Sequence, residues 1–244
     1  MIRFIFAVIF LACFLILLSP LLLVELLIGK INKKAKDVSS LRIVQWGFGV
    51  ILWIAGTKIT VIGKENMPDE AVLYVGNHRS FFDILIMYVQ CKDLTGFVAK
   101  DSMGKIPSLR VWMRYVYCLF LDRKDIKQGM KTILQAIEYV KQGVSIAIFP
   151  EGTRNIGEEL SMLPFKEGSF KIALKTGCPI VPVAINNSAE IFENHLPKLK
   201  KTHVVIEYGK PIYPKDLSRD EQKVIGATCQ ALIQETIKKN AEYV

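Results

Sequence analysis

The chain has 244 residues, 51% of them apolar, with 32 Lys and Arg against 23 Asp and Glu for a net charge of +9. That length and apolar share can bury one sizeable core but hardly two, so one soluble domain with an appendage is expected. The basic excess is spread along the chain rather than gathered with aromatics on a reading element, which argues against a nucleic-acid partner. The five cysteines, Cys13, Cys91, Cys118, Cys178 and Cys229, are odd in number, widely spaced and form no C-x-x-C pair. Neither a disulfide framework nor a zinc site is indicated, and a reducing cytosolic face fits best.

The first element in chain order is the uncharged run "FIFAVIFLACFLILLSPLLLV", Phe4 to Val24. It is long enough to cross a hydrocarbon core about 30 Å thick as one helix. It is also long for the apolar region of a signal peptide, and no small-x-small cleavage site closes it. Lys30, Lys33, Lys34, Lys36 and Arg42 follow as a cationic cluster, of the kind that attracts anionic headgroups and stays cytoplasmic. Membrane lipids are therefore expected partners, with the soluble domain on the cytoplasmic face. A second apolar stretch, "IVQWGFGVILWIAG" (43–56), is short for a span and carries Trp46 and Trp53, which favour an interface. It reads as a helix within one leaflet, a re-entrant helix or a core helix. Residues 1–56 are thus expected as a membrane-associated helical segment and 57–244 as the catalytic domain.

Beyond Gly63, short β-branched runs alternate with longer amphipathic ones, which predicts an α/β fold whose largely parallel sheet is flanked by helices. The expected strands are "AVLYVG" (71–76), "TGFVA" (95–99), "YVYCLFL" (115–121), "VSIAIF" (144–149), "PIVPVAI" (179–185) and "THVVIEYG" (202–209). A helix over 125–142 should start at an Asp125 N-cap, stop at Gly143 and present Ile126, Met130, Ile133, Ile137 and Val140 to the core. An amphipathic helix over 218–239 closes the chain.

Polar groups stand directly after each strand: Asn77 and His78, Lys100, Asp122 and Arg123, "PEGTR" (150–154), and Asn186 with Asn187. Ligands of open parallel sheets bind outside the carboxyl ends of the strands, so these groups should converge on one edge. His78 suits a general base, and Asp83 can fix its tautomer if the chain turns into a helix near Ser80. There is no G-x-S-x-G elbow, no H-E-x-x-H pair and no phosphate-binding glycine loop, and neither "NHRSFFD" nor "PEGTR" contains a cysteine. Direct proton abstraction from a substrate hydroxyl or water remains, beside cations suited to a phosphate and with no metal.

"NHRSFFD" (77–83), "FLDR" (120–123), "FPEGTRN" (149–155) and "IVPVAI" (180–185) resemble, in order, the four blocks of the glycerolipid acyltransferases typified by bacterial 1-acyl-glycerol-3-phosphate acyltransferase. The resemblance covers nearly the whole chain. It implies transfer of a fatty acyl group from a thioester carrier, acyl-CoA or acyl carrier protein, to the 2-hydroxyl of lysophosphatidate, with no other cofactor. Alternative acceptors are glycerol-3-phosphate or another lysophospholipid, and the competing classes are a phospholipid hydrolase and a lipid-binding scaffold. By the same resemblance His78 and Asp83 are catalytic, and Glu151, Gly152, Thr153, Arg154, Arg123 and Lys100 bind substrate, with Lys166 a further source of positive field. Glu151 is expected to orient an arginine. The chain departs from the pattern at Tyr117, where the second block commonly has glycine, and at Asn155, where the third commonly ends in serine.

Overall fold

Ser19 and Pro20 break the uncharged N-terminal run in two: α1 (Ile2–Leu17) and α2 (Ser19–Ile31) meet at a bend of 48°. Proline suits the first turn of a helix, where its missing N–H is not needed, but cannot extend the helix before it. The one helix expected over Phe4 to Val24 is therefore two, joined at this bend. Residues 1–122 and 125–244 are described by the computed structural model. The stretch 43–56 is the second half of a longer helix, α3 (Lys33–Ala55), capped by the Asn32 side chain on Ala35 N–H and closed by Gly56 at φ 75°. Among the described residues α3 alone is long and apolar enough to cross a membrane by itself, and the bent pair passes the same test only together. Its inward face, Leu41, Val44, Leu52 and Ala55, belongs to the protein core, while Trp53 is 80% exposed.

Seven strands follow: β1 (Lys58–Ile62), β2 (Leu73–Gly76), β3 (Thr95–Lys100), β4 (Leu119–Leu121), β5 (Ser145–Ile148), β6 (Ile180–Asn186) and β7 (His203–Tyr208). They form one sheet in the order β1-β7-β6-β2-β5-β3-β4. From β6 to β4 every neighbouring pair is parallel; β7 is antiparallel to β6, and β1 is parallel to β7. The helices between them are α4 (Phe82–Gln90), α5 (Pro107–Tyr115), α6 (Ile126–Lys141) and α7 (Lys171–Thr176), and α8 (Arg219–Lys223) and α9 (Ile225–Asn240) follow β7. Leu73 and Val75 pack into one apolar cluster with residues of α6, α7 and α9, and Tyr74 into the other with residues of α3, α4 and α5. A sheet so covered on both faces can expose its polar groups only at its two edges and two ends.

Three expectations shift. The run 115–121 is a strand only over its last three residues, because Tyr115 ends α5 and Tyr117 turns the chain with a left-handed φ of 60°. Asp125 caps α6 as predicted, accepting from Lys127 and Gln128 N–H, but Met130 is 63% exposed and leaves the buried face to Ile137 and Val140. The closing helix is interrupted at Val224, with a Ser218–Glu221 capping box opening its first part.

The turn at Tyr117 constrains the strand beside it. A Cβ added to Gly96 in β3 would collide with the Tyr117 carbonyl oxygen. Gly96→Ala should lower stability by about 1 to 3 kcal/mol, the range of an overpacked core. Chemical denaturation of the two proteins measures this, and a variant as stable as the parent would show that the turn gives way.

Candidate active site

The site begins where β2 leaves the sheet. Asn77 locks the strand end to β6 by a reciprocal pair of bonds, donating from Nδ2 to the Ile185 carbonyl at 2.9 Å and accepting from Ile185 N–H at 2.8 Å. His78 follows, its N–H donating to Glu151 Oε1 at 2.7 Å and its carbonyl accepting from Asn155 N–H at 2.8 Å. The loop after β5 is thereby stitched to the loop after β2. The imidazole stacks on Phe149, with ring centroids 4.3 Å apart and planes 16° from parallel.

The chain then turns into α4 near Ser80, as the spacing predicts, and this brings Asp83 back to the imidazole. His78 Nδ1 lies 2.9 Å from Asp83 Oδ2, and the same oxygen accepts from Arg79 and Ser80 N–H, each at 2.7 Å. Asp83 is wholly buried. A carboxylate only accepts, so Nδ1 is the donor in this bond, and the lone pair of the neutral ring falls to Nε2. No described residue hydrogen-bonds Nε2. This contact selects the tautomer that a general base requires, with Nε2 unengaged among the described residues.

The third block lies beside it. Gly152 has φ 72°, and a Cβ there would meet Lys166 Nζ at 2.6 Å, so the ammonium rests against this turn. Thr153 is exposed. The Arg154 guanidinium lies 3.8 Å above the Phe81 ring and donates to Glu193 Oε1 at 2.9 Å. Arg79, by contrast, is buried and anchors the following loop through the Gly157 and Glu158 carbonyls and the Glu159 carboxylate.

The expectation for Glu151 is corrected. Among the described residues no arginine pairs with it: its two oxygens accept from the backbone N–H groups of His78 and Leu163, at 2.7 and 2.8 Å, and the residue is 4% exposed. With both oxygens engaged by backbone and the residue buried, it braces His78. Lys100 is exposed at the end of β3, two places from β2 in the sheet, about 10 Å by strand spacing. Arg123 lies outside the described residues. Asn186 and Asn187 turn inward, donating to the Ile237 and His203 carbonyls, so they brace the fold rather than approach His78. Glu193 was invisible to sequence reasoning. It sits in a single helical turn, Glu193–His195, outside all four blocks.

A histidine oriented by a carboxylate, beside an arginine and a lysine at the carboxyl edge of a parallel sheet, is an arrangement able to take a proton next to an anion. The acyltransferase family model matches residues 58–186, from β1 through β6 and more than half of the chain, and the chain belongs to that family. The 1-acyl-sn-glycerol-3-phosphate acyltransferase of Borreliella burgdorferi is 38% identical over 144 residues, covering 59% of this chain and 57% of that protein. The protein of the same name from Haemophilus influenzae is 28% identical over 211 residues, 86% of each chain. The chain spans 57% and 58% of the length of the first curated relatives it matches, from Borreliella burgdorferi and Saccharomyces cerevisiae. The crystal structure of the 1-acyl-sn-glycerophosphate (LPA) acyltransferase PlsC from Thermotoga maritima shares the fold, with a TM-score of 0.83 at 23% identity over 98% of this chain and 94% of that one.

The brace at Glu151 is open to test. Burial pushes its carboxyl above the ordinary value, against the lowering effect of its two backbone bonds. A carboxyl raised in this way favours the folded state when protonated, so its contribution is complete below the ordinary carboxylate pKa and is lost as pH rises through the raised value. Glu151→Gln presents one acceptor oxygen to two N–H donors and should cost about 1 to 3 kcal/mol at neutral pH. It should also remove this part of the pH dependence, as denaturation across acidic pH would reveal. Unchanged stability together with an unchanged pH profile would remove Glu151 from its bracing role.

Proposed function

We propose that the protein transfers a fatty acyl group from an acyl thioester, carried by coenzyme A or acyl carrier protein, to the sn-2 hydroxyl of lysophosphatidate, giving phosphatidate. The observation that carries this reading is the unengaged Nε2 of His78, set by the bond from Nδ1 to Asp83. The names of the relatives from Borreliella burgdorferi and Haemophilus influenzae point to the same acceptor.

The chemistry follows from that geometry. Nε2 takes the hydroxyl proton as the oxygen attacks the thioester carbonyl, so a C–O bond forms while Asp83 stabilises the imidazolium. The C–S bond then breaks and the imidazolium returns its proton to the sulfur. A thiol with a pKa of about 8.5 leaves without a second strong acid. Arg154, with Lys166 beside Gly152, supplies positive charge for the acceptor's phosphate, Arg154 by charge-assisted hydrogen bonds. Thr153 and Lys100, with Arg123, belong to the same proposal for the phosphate-binding rim. Phe149 holds one face of the imidazole and keeps the ring from turning away.

Substrate and product are amphiphiles, and the N-terminal helices suit a bilayer: Ile2, Phe6, Ile9, Leu17, Leu23 and Leu27 are all exposed. We place them in the membrane, with the sheet domain on its cytoplasmic face. No cysteine relay enters this mechanism. Burial pushes the Cys118 thiol up to about 11, which leaves little thiolate at neutral pH.

Incubation with labelled lysophosphatidate and an acyl thioester should yield phosphatidate; free fatty acid without phosphatidate would identify a hydrolase instead. His78→Ala should lower turnover by the ~10² to 10⁴ typical of lost acid–base catalysis, and Asp83→Asn should impair it in a folded protein. Near-normal turnover in either variant would sink the assignment. Cys118→Ser, in turn, should keep most activity, and enzyme mixed with acyl thioester alone should release no burst of thiol. Isolation of an acylated Cys118 peptide able to pass its chain to lysophosphatidate would overturn direct attack.

A further inference from the structure

Glu193 touches two separate blocks at once. Its Oε2 accepts from the Ser80 hydroxyl, and its Oε1 accepts from Phe81 N–H at 2.8 Å and from Arg154 Nη1 at 2.9 Å. Ser80 and Phe81 lie between His78 and Asp83, so one carboxylate fastens the turn that carries the base to the arginine beside it. Its side chain is 12% exposed and that of Arg154 35%. An ion pair with one partner this open contributes little stability. Its consequence is geometric instead.

We propose that Glu193 is a positioning residue that orients Arg154 for the phosphate of the acceptor, an inference that rests on the acyltransfer reading above. A guanidinium has five N–H donors in a fixed plane. Phe81 supports one face of that plane and Glu193 holds one end through Nη1, while no described residue takes a hydrogen bond from Nε or Nη2. Those donors form the fork that engages a phosphate bidentately. Without Glu193 the long side chain would sample many rotamers above Phe81, and ordering it would fall to the substrate. The carboxylate itself is unfavourable near an anion, so its charge and its orienting contacts act in opposite directions on acceptor binding.

The segment that bears Glu193 is itself anchored. Phe192 stacks on Phe4 of α1 at 5.4 Å, and Glu190 accepts from Asn194 Nδ2 and holds the His195 ring. The carboxylate therefore projects from a fixed base rather than from a free loop.

The opposition between charge and contact separates positioning from a merely structural role. Glu193→Ala should raise the KM for lysophosphatidate by roughly tenfold or more, the loss of one charge-assisted hydrogen bond's worth of order, with a smaller change in kcat. Arg154→Ala should raise the same KM, and the double variant should be little worse than Arg154→Ala alone, since both act through one contact. Glu193→Gln keeps acceptor and donor atoms for these partners but drops the charge, so its KM should stay near or below that of the parent. The KM for the acyl thioester should not move in any of them. Three results would overturn the proposal: additive effects of Glu193→Ala and Arg154→Ala, an unchanged acceptor KM in either single variant, or a Gln variant as impaired as the Ala variant. The isosteric Gln variant keeps the test informative should the Ala variant unfold. Absence of phosphatidate formation by the parent protein would instead refute the acyltransfer reading itself.

Discussion

One oxygen atom organises the carboxyl edge of the sheet. Oδ2 of Asp83 accepts from the backbone of Arg79 and Ser80 and from the imidazole of His78. The first two donors are N–H groups of the turn between β2 and α4, and a carboxylate in a first helical turn is further favoured by the helix dipole. The acid that starts the helix is thus also the acid that selects the histidine tautomer. Neither task could be removed without disturbing the other, because both depend on the chain reversing between β2 and α4 within a few residues.

Around this centre the protein builds with backbone rather than with more charges. Asn77 extends the pairing of β2 with β6 through its side chain, Glu151 accepts from the His78 N–H, and Asn155 N–H donates to the His78 carbonyl. Both main-chain groups of the histidine, and the side-chain amide of its predecessor, are thereby tied to another element. The sheet makes this economical: strands buried on both faces deliver their loop ends side by side, and the loops after β2, β5 and β6 need only short reaches to interlock.

Much of this was legible in the sequence, and what was not has a common cause. The central strands announced themselves through β-branched runs, and the His78–Asp83 pair was readable because it is a local event, five residues spanning one turn. The Asp125 cap was local too. β1 was missed because "KITVI" gains its meaning only from pairing with β7, some 145 residues later, between Lys58 and His203. Glu151 was misjudged for the same reason: its partners, His78 and Leu163, are brought to it by the fold. Glu193 had no signal at all, since its contacts to Ser80 and Arg154 cross the sheet edge. The bend at Ser19–Pro20 lay in plain view, but an uncharged run outweighed it.

The two departures from the family pattern can now be placed. Parallel strands put their starts at the end opposite their carboxyl edge, so Tyr117, just before β4, stands at the far end of the sheet from His78. Its left-handed backbone costs about 1 to 2 kcal/mol relative to an ordinary conformation, a cost glycine would escape. The side chain gives something in return: its hydroxyl donates to Asp37 of α3 at 2.7 Å, and its ring meets Tyr139 of α6 edge-on at 5.1 Å. A tyrosine here trades backbone ease for a tether between the N-terminal helices and the sheet. Asn155 is near the base, yet its side chain points away, donating to the Ser161 carbonyl at 2.8 Å and accepting from Gly157 N–H at 2.9 Å. Only its N–H faces the histidine segment, and every residue but proline offers that group. Both departures thus alter how the scaffold is braced and leave the groups around Nε2 as the four blocks prescribe.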